Sequence, residues 1–246
     1  MNDTLALLHS HHSDRDFTDA PVDEADLAAV VEAAHRAPTS MNGQQVSLVV
    51  VRDPARRARL AELAGGQPWI ARAPVFLAVL IDFHKTRVAA SRAGREQAIH
   101  RSLEGFTVGA VDAGIALASL MLAARSLGMG VVPIGSLRRD PQGVIDLLRL
   151  PPLTYPVVGA AVGHVAEPAT RKPRLPLAAF RHDEVYRAEG LPAAIEAYDR
   201  TLLEHWRAIG RADGLRWSEN TGGAYSRLYF PRTRPVAERQ GFTLEE

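Results

Sequence analysis

Between Val108 and Leu122 the chain puts apolar or small residues on nearly every face of a helix, within a helical pattern that runs from about Arg95 to Leu127. A helix with no polar face needs cover all round. In a chain of 246 residues that cover comes from a sheet on one side and a second subunit on the other, or from a monomer core that wraps the helix completely. Gel filtration separates the two. The most apolar part, Ala113 to Ala124, is flanked by Asp112 and Arg125 and is shorter than the roughly 20 residues a bilayer requires, which predicts a buried helix.

The flanking segments supply a sheet and more helices. Asp23 and Asp26 precede Leu27, Val30, Val31 and Ala34, an N-cap followed by an apolar stripe at helical spacing, and that helix ends before Pro38. The loop Ala37 to Gln45 feeds Val46 to Val51, a β-branched run suited to a buried strand. After Asp53-Pro54 a short helix reaches about Ala64, Gly65-Gly66 turns the chain, and Pro74 to Asp82 predicts a second strand. Beyond the long helix, Gly130 to Ile134 and Tyr155 to Val162 read as strands. Asp140-Pro141 opens a helix through Leu150 between them. The core ends near Gly163. Past the proline-rich Pro168 to Pro176, Ile195, Tyr198, Leu202, Trp206 and Ile209 line one face of a further helix, and an arginine-bearing tail follows. No repeat or low-complexity tract interrupts this order, so residues 1–246 read as one domain with residues 177–246 as its helical extension.

Composition narrows the function classes. A hydrophobic content of 46% with 23% charged residues is that of a folded globular chain. The 29 basic and 28 acidic side chains leave a formal net charge of +1, so no overall field recruits nucleic acid or an anionic membrane. Cysteine is absent, which excludes disulfides, thiolate metal sites, iron–sulfur clusters and cysteine nucleophiles together. Met1 to Ser13 lack the basic head and apolar core of a signal peptide, so the expected location is cytoplasmic.

Four segments concentrate polar chemistry. His9-Ser10-His11-His12-Ser13-Asp14-Arg15 gathers donors just before the first predicted helix, and Lys172-Pro173-Arg174 sets two cations on a stiff connector. Both suit an anion that needs donors converging from different segments, although ordinary solvated charge explains either stretch taken alone. A metal site at His9, His11 and His12 is disfavoured because no carboxylate or thiolate set accompanies them. The loop Ala37-Pro38-Thr39-Ser40-Met41-Asn42-Gly43-Gln44-Gln45 offers hydroxyls and amides to a heterocycle edge, or is simply a turn. Pro133-Ile134-Gly135-Ser136 ends a strand at a small residue where a backbone N–H can approach a planar ligand.

The order of these segments, with Gly65-Gly66-Gln67, Ile134-Gly135 before Leu137-Arg138, Lys172-Pro173-Arg174-Leu175-Pro176 and the closing Gln240-Gly241-Phe242, resembles the nitroreductase/flavin reductase family. It is most similar to the NADPH-preferring nitroreductase A and flavin reductase P branch. The resemblance covers almost the whole chain. It implies an α+β fold, a three-layer sandwich around a central mixed sheet, in an intertwined homodimer whose FMN lies at the subunit interface. By motif, His11, His12 and Ser13 with Lys172 and Arg174 are expected at the FMN phosphate, and Arg15 is expected at the N1/O2 side of the ring as the catalytic charge. Ser40, Asn42, Gln45 and Gln67 are expected on ribityl or ring polar atoms, and Ile134, Gly135 and Ser136 near N5/O4.

In such a protein the cofactor carries electrons while the chain positions it and tunes its charge, which explains the lack of an obvious acid, base or nucleophile. The implied reaction is ping-pong: NADPH reduces FMN and leaves, then a small planar acceptor such as a nitroaromatic, quinone or free flavin enters. Arg211 and Arg216 are the expected readers of the NADPH 2′-phosphate. Two departures bear on this. His12 replaces an arginine usual in relatives, which substitutes a titratable group for a fixed charge and predicts weaker FMN binding as pH rises. Asn42-Gly43-Gln44 replaces bulkier apolar residues, which predicts more room over the ring. A flavin storage or sensing protein with incidental reductase activity is the reading from another class.

Overall fold

A computed structural model describes residues 1–245. In chain order the elements are α1 (Asp3–His9), β1 (Asp16–Phe17), α2 (Glu24–His35), β2 (Val46–Val51), α3 (Pro54–Leu63), α4 (Pro68–Arg72), β3 (Val75–Asp82), α5 (Phe83–Arg92), α6 (Leu103–Ser126), β4 (Gly130–Ile134), α7 (Pro141–Leu148), β5 (Thr154–Gly163), β6 (Val165–Glu167), α8 (Leu191–Ala208), α9 (Trp217–Tyr225) and α10 (Thr233–Arg239). They fall into two compact units, one of residues 1–169 with 230–245, the other of residues 170–229. The segment expected to be one extension from residue 177 thus contains most of the second unit and then a return to the first.

In the first unit β2, β3, β5 and β4 lie side by side in that order, and each pairing is antiparallel. Strand β3 explains the layering, because successive side chains point to opposite faces. Phe76, Ala78 and Leu80 pack with Leu60, Ile70 and Val144 of α3, α4 and α7. Val75, Leu77 and Val79 pack with Leu27 and Val30 of α2 and with Ala116 and Leu120 of α6. Helices therefore cover both faces of the sheet, the expected α+β sandwich. A third cluster at one end brings Val236 and Phe242, from the returning tail, against Ile81, Phe83 and Tyr155.

The local signals act as their chemistry dictates. Asp23, Asp53 and Asp140 each accept a bond from a backbone N–H in the first turn of α2, α3 and α7. The long helical pattern starts later than expected. Gly94 turns at φ +67, a short 3₁₀ turn covers Ile99–Arg101, and the Ser102 hydroxyl accepts from Gly105 N to open α6. Helix α7 stops at Leu148, where Arg149 adopts a left-handed φ of 52°, so it falls short of Leu150. Short α1, α5, α9 and α10 have no apolar stripe long enough to announce them.

Helix α6 corrects one expectation. Its 24 residues make it long and apolar enough to cross a bilayer by length and composition. Its packing gives it another role: Ala113, Ala116, Leu120 and Ala124 are buried against the sheet and α2. At Gly109 the helix approaches β3 so closely that a Cβ would lie 2.7 Å from Ile81 Cγ2. The opposite side, with Val111, Gly114 and Ala118, is exposed.

Candidate functional site

The N-terminal donors are held by a buried carboxylate. Asp14 is 2% exposed, and its Oδ1 accepts from Ala169 N at 3.1 Å and lies 3.3 Å from His12 Nε2. The other ring nitrogen, His12 Nδ1, lies 2.8 Å from Ser10 O. Both nitrogens face acceptors, so the doubly protonated ring satisfies both bonds and a neutral ring satisfies one. His12 thus braces its own segment, and Arg125 at the end of α6 reinforces it with bonds to Leu7 O and Ser10 O of 2.7 and 3.1 Å.

Beyond that brace, Arg15 is exposed, with its Cζ 5.3 Å from the Trp69 ring centroid and its Nη1 donating to Ser13 O at 3.2 Å. A guanidinium over an indole is attracted by the ring's negative face and keeps its N–H groups at the rim free to bond. The indole Nε1 of Trp69 is buried and has no hydrogen-bond partner among the described residues. Two residues earlier, Gln67 Nε2 donates to Ser136 Oγ at 2.7 Å, which joins the Gly65-Gly66-Gln67 turn to the end of β4. Ile134 is buried there and Gly135 and Ser136 are half-buried. The structure therefore gathers Arg15, Trp69, Gln67 and Ile134 to Ser136 into one half-site.

Ser40, Asn42 and Gln45 belong to a second half-site. Their loop precedes β2, one edge of the sheet, whereas Gly135 follows β4, the other edge. Three strand spacings separate those edges, about 14 Å. In the loop Ser40, Asn42 and Gln44 are exposed, and Met41, Asn42 and Gln44 hold left-handed φ angles of 54°, 53° and 53°. Gln45 is turned inward at 4% exposure, with Nε2 donating to Asp112 Oδ2 at 2.5 Å. The same oxygen accepts from Ser40 N at 3.1 Å. Gln45 thus supports the loop from inside, while its neighbour Gln44, not singled out from the sequence, presents the exposed amide. Gly43 is not merely a smaller residue that widens the surface, because a Cβ there would collide with Gln45 Oε1.

In the second unit, Lys172 and Arg174 are exposed on a connector organised by α8. Tyr198 Oη donates to Pro173 O at 2.8 Å, and Leu175 packs with Tyr198, Leu202 and Trp206. Burial pushes the Tyr198 phenol above its ordinary value, with Arg174 pulling the other way. The Trp206 indole donates to Leu215 O at 3.0 Å and has Lys172 Nζ and Arg211 Cζ at 5.4 and 4.7 Å from its ring. Arg216 stands at the start of α9, where its backbone N–H donates to Glu219 Oε2 at 3.1 Å. Asp112, Trp69, Tyr198 and Trp206 were not singled out as site residues. An acid inside an apolar helix was the signal available for Asp112; Tyr198 and Trp206 read as one face of a helix, and Trp69 carried no signal of its own.

These features set polar donor groups at both edges of the sheet of an α+β sandwich. The chain belongs to the nitroreductase family, which it matches over residues 8–164, with the nitroreductase family C-terminal domain matched over residues 172–245. It is 43% identical to FMN reductase (NAD(P)H) of Bacillus subtilis (strain 168), over 100% of both chains. The solved structure of B. megaterium NfrA2 superposes with a TM-score of 0.97 at 40% identity, covering 100% of both chains. Nitroreductase A from Vibrio parahaemolyticus RIMD 2210633 gives 0.90 at 33% identity, again over 100% of both.

Proposed function

We propose that the protein is an FMN-containing, NAD(P)H-dependent flavin reductase and nitroreductase that works as a cytoplasmic homodimer. The observation that carries this reading is the half-site of Arg15, Trp69, Gln67 and Ser136 at one edge of the sheet, with its donors already fixed. Its donor set fits FMN: an exposed guanidinium seated on an indole, an unpaired buried indole N–H and a strand end at Gly135. The names of the relatives, FMN reductase and nitroreductase A, point the same way. The open apolar face of α6 supports the dimer, because a second copy would cover it and bring a Ser40 to Gln44 loop to each half-site.

Bound FMN would supply the chemistry, taking a hydride from NADPH and passing electrons to a planar acceptor in a second half-reaction. The chain's own part is electrostatic and positional. Arg15 places a permanent positive charge where negative charge develops on the ring, and its seat on Trp69 fixes that charge in advance. Ser40, Asn42 and Gln44 offer polar groups to the ring from the neighbouring subunit, with Gln45 as their internal brace. His11 and Ser13 are assigned to the phosphate, and Lys172 and Arg174 join them on the sequence motif alone. His12 acts at one remove, through Asp14. Arg211, stacked on Trp206, and Arg216 are assigned to the NADPH 2′-phosphate. Nitroaromatics, quinones and free flavin are the proposed acceptors.

The purified protein is expected to be yellow and to bleach on anaerobic addition of NADPH; a colourless protein that takes up no FMN would sink the reading. Arg15→Ala should slow flavin reduction in stopped flow while the protein stays folded. Replacing Lys172 and Arg174 together should yield a folded, largely colourless protein. Rates with NADH against NADPH in Arg211→Ala test the nicotinamide assignment.

A further inference from the structure

Asp112 is a carboxylate in the middle of an otherwise apolar α6, 3% exposed, where an unbonded charge would be expensive. Its Oδ2 receives two bonds, and both come from one place: Gln45 Nε2 at 2.5 Å and Ser40 N at 3.1 Å. These grip the loop near its two ends. Between the two grips lie Met41, Asn42 and Gln44, three residues other than glycine with φ above 50°. Such backbone persists only where the surroundings over-determine it. The loop's own bonds are all local, Asn42 N to Thr39 O at 3.1 Å, Gly43 N to Ser40 O at 2.8 Å, Gln44 N to Thr39 Oγ1 at 3.1 Å and Gln44 Nε2 to Asn42 Oδ1 at 3.4 Å, and none of these four ties the loop to α6.

We infer that Asp112 is a positioning residue for the flavin, fixing through Gln45 and Ser40 the loop that presents Ser40, Asn42 and Gln44 to the ring. This rests on the FMN reading above. A carboxylate only accepts, so the Gln45 amide is oriented with its NH₂ inward and its Oε1 toward Gly43. That orientation leaves no space for a side chain at residue 43. Asp112, Gln45 and Gly43 therefore form one chain of contacts from helix to loop. Asp112 also sits next to Val111, which is 55% exposed on the face of α6 assigned to the partner subunit. The same turn of helix thus meets the second subunit on one side and shapes the ring-reading loop on the other.

The test compares wild type, Asp112→Ala, Asp112→Asn and Gly43→Ala as purified holoproteins, reading FMN dissociation by flavin fluorescence and the visible spectrum of the bound flavin. Asp112→Ala should weaken FMN by roughly tenfold or more and shift the flavin bands. Asp112→Asn keeps an acceptor oxygen at the same point and should stay within roughly threefold of wild type with its spectrum. Gly43→Ala pushes Gln45 from the opposite side and should reproduce the Ala phenotype without touching α6, so it decides the matter if Asp112→Ala does not fold. FMN held by Gly43→Ala and Asp112→Ala with wild-type affinity and spectrum would overturn this inference alone. A wild-type protein that binds no FMN would overturn the functional reading and this inference with it.

Discussion

On one side of α6, Ala113, Ala116, Leu120 and Ala124 are shut against the sheet and α2; on the other, Val111, Gly114 and Ala118 stand open. The residue types are nearly the same. What separates the two faces is only what the rest of the chain places against them, and a folded chain seldom leaves a long apolar stripe uncovered without a partner for it. The inner face holds the fold and the outer face is free for another copy. Substitutions at matched depths along the helix should therefore have effects of different kinds.

The largest effect is expected from Leu120→Asp, which buries an unpaired carboxylate at a position 0% exposed and should cost on the order of 4 kcal/mol or more. Loss of the folded far-ultraviolet circular dichroism signal is the readout; a stable folded variant would erase the distinction between the faces. Ala118→Arg puts a larger, equally charged side chain on the outer face and should leave the fold intact while producing a monomer depleted of FMN. Light scattering and flavin absorbance measure both, and a yellow dimer would show that this face is not the interface.

A smaller effect lies where the inner face meets the end of the sheet. Phe106 of α6 packs on Tyr155, ring centroids 5.6 Å apart. Burial pushes the Tyr155 phenol above its ordinary value, with Thr233 and Arg138 pulling the other way. The unfolded phenol ionises first, near 10. The neutral form's contribution to stability is thus full below about pH 10 and is lost as pH rises through the higher folded value. Tyr155→Phe should flatten the alkaline limb of a stability-against-pH curve, and an unchanged limb would assign it to other groups. The smallest effect is the most discriminating in sign. Nothing lies within 4 Å of a Cβ built at Gly114. Gly114→Ala should raise thermal stability by about 0.5–1 kcal/mol in a free helix face and lower it where a partner packs closely. Thermal melts of the dimer and of the Ala118→Arg monomer should therefore move in opposite directions.

Much of this was legible in the linear order of residues. The capping aspartates, the β-branched runs of β2 and β3 and the stripe of α8 are local signals, and the structure uses each where its chemistry acts. The start of α6 was placed too early because Gly94 and Ser102 are single-residue signals inside a periodic run, and α1, α5, α9 and α10 bury at most two residues each, too few to show a period. In the site, His12 read as one of the phosphate donors. Its ring instead lies between Ser10 O and Asp14, whose carboxylate takes a bond from Ala169 N only after β6 has paired with β1 and brought that distant segment alongside. Gln45 and Gln44 differ in sequence by one position, and only the left-handed turn at Gln44 decides which amide faces out.

The sequence by itself determined the class of chain: an α+β sandwich with one helix needing cover on every side, no thiol chemistry, and a family pattern that points to a flavin. Those properties reside in periodicity and in residue types, which local forces read directly. Only the tertiary structure decided that the donors gather in two clusters on opposite edges of one sheet, that Trp69 seats Arg15, and that Asp112 grips the loop from within the apolar helix. Each depends on residues tens of positions apart meeting at hydrogen-bond or ring-contact distance. Strand order and helix docking create such meetings, and no spacing along the chain encodes them.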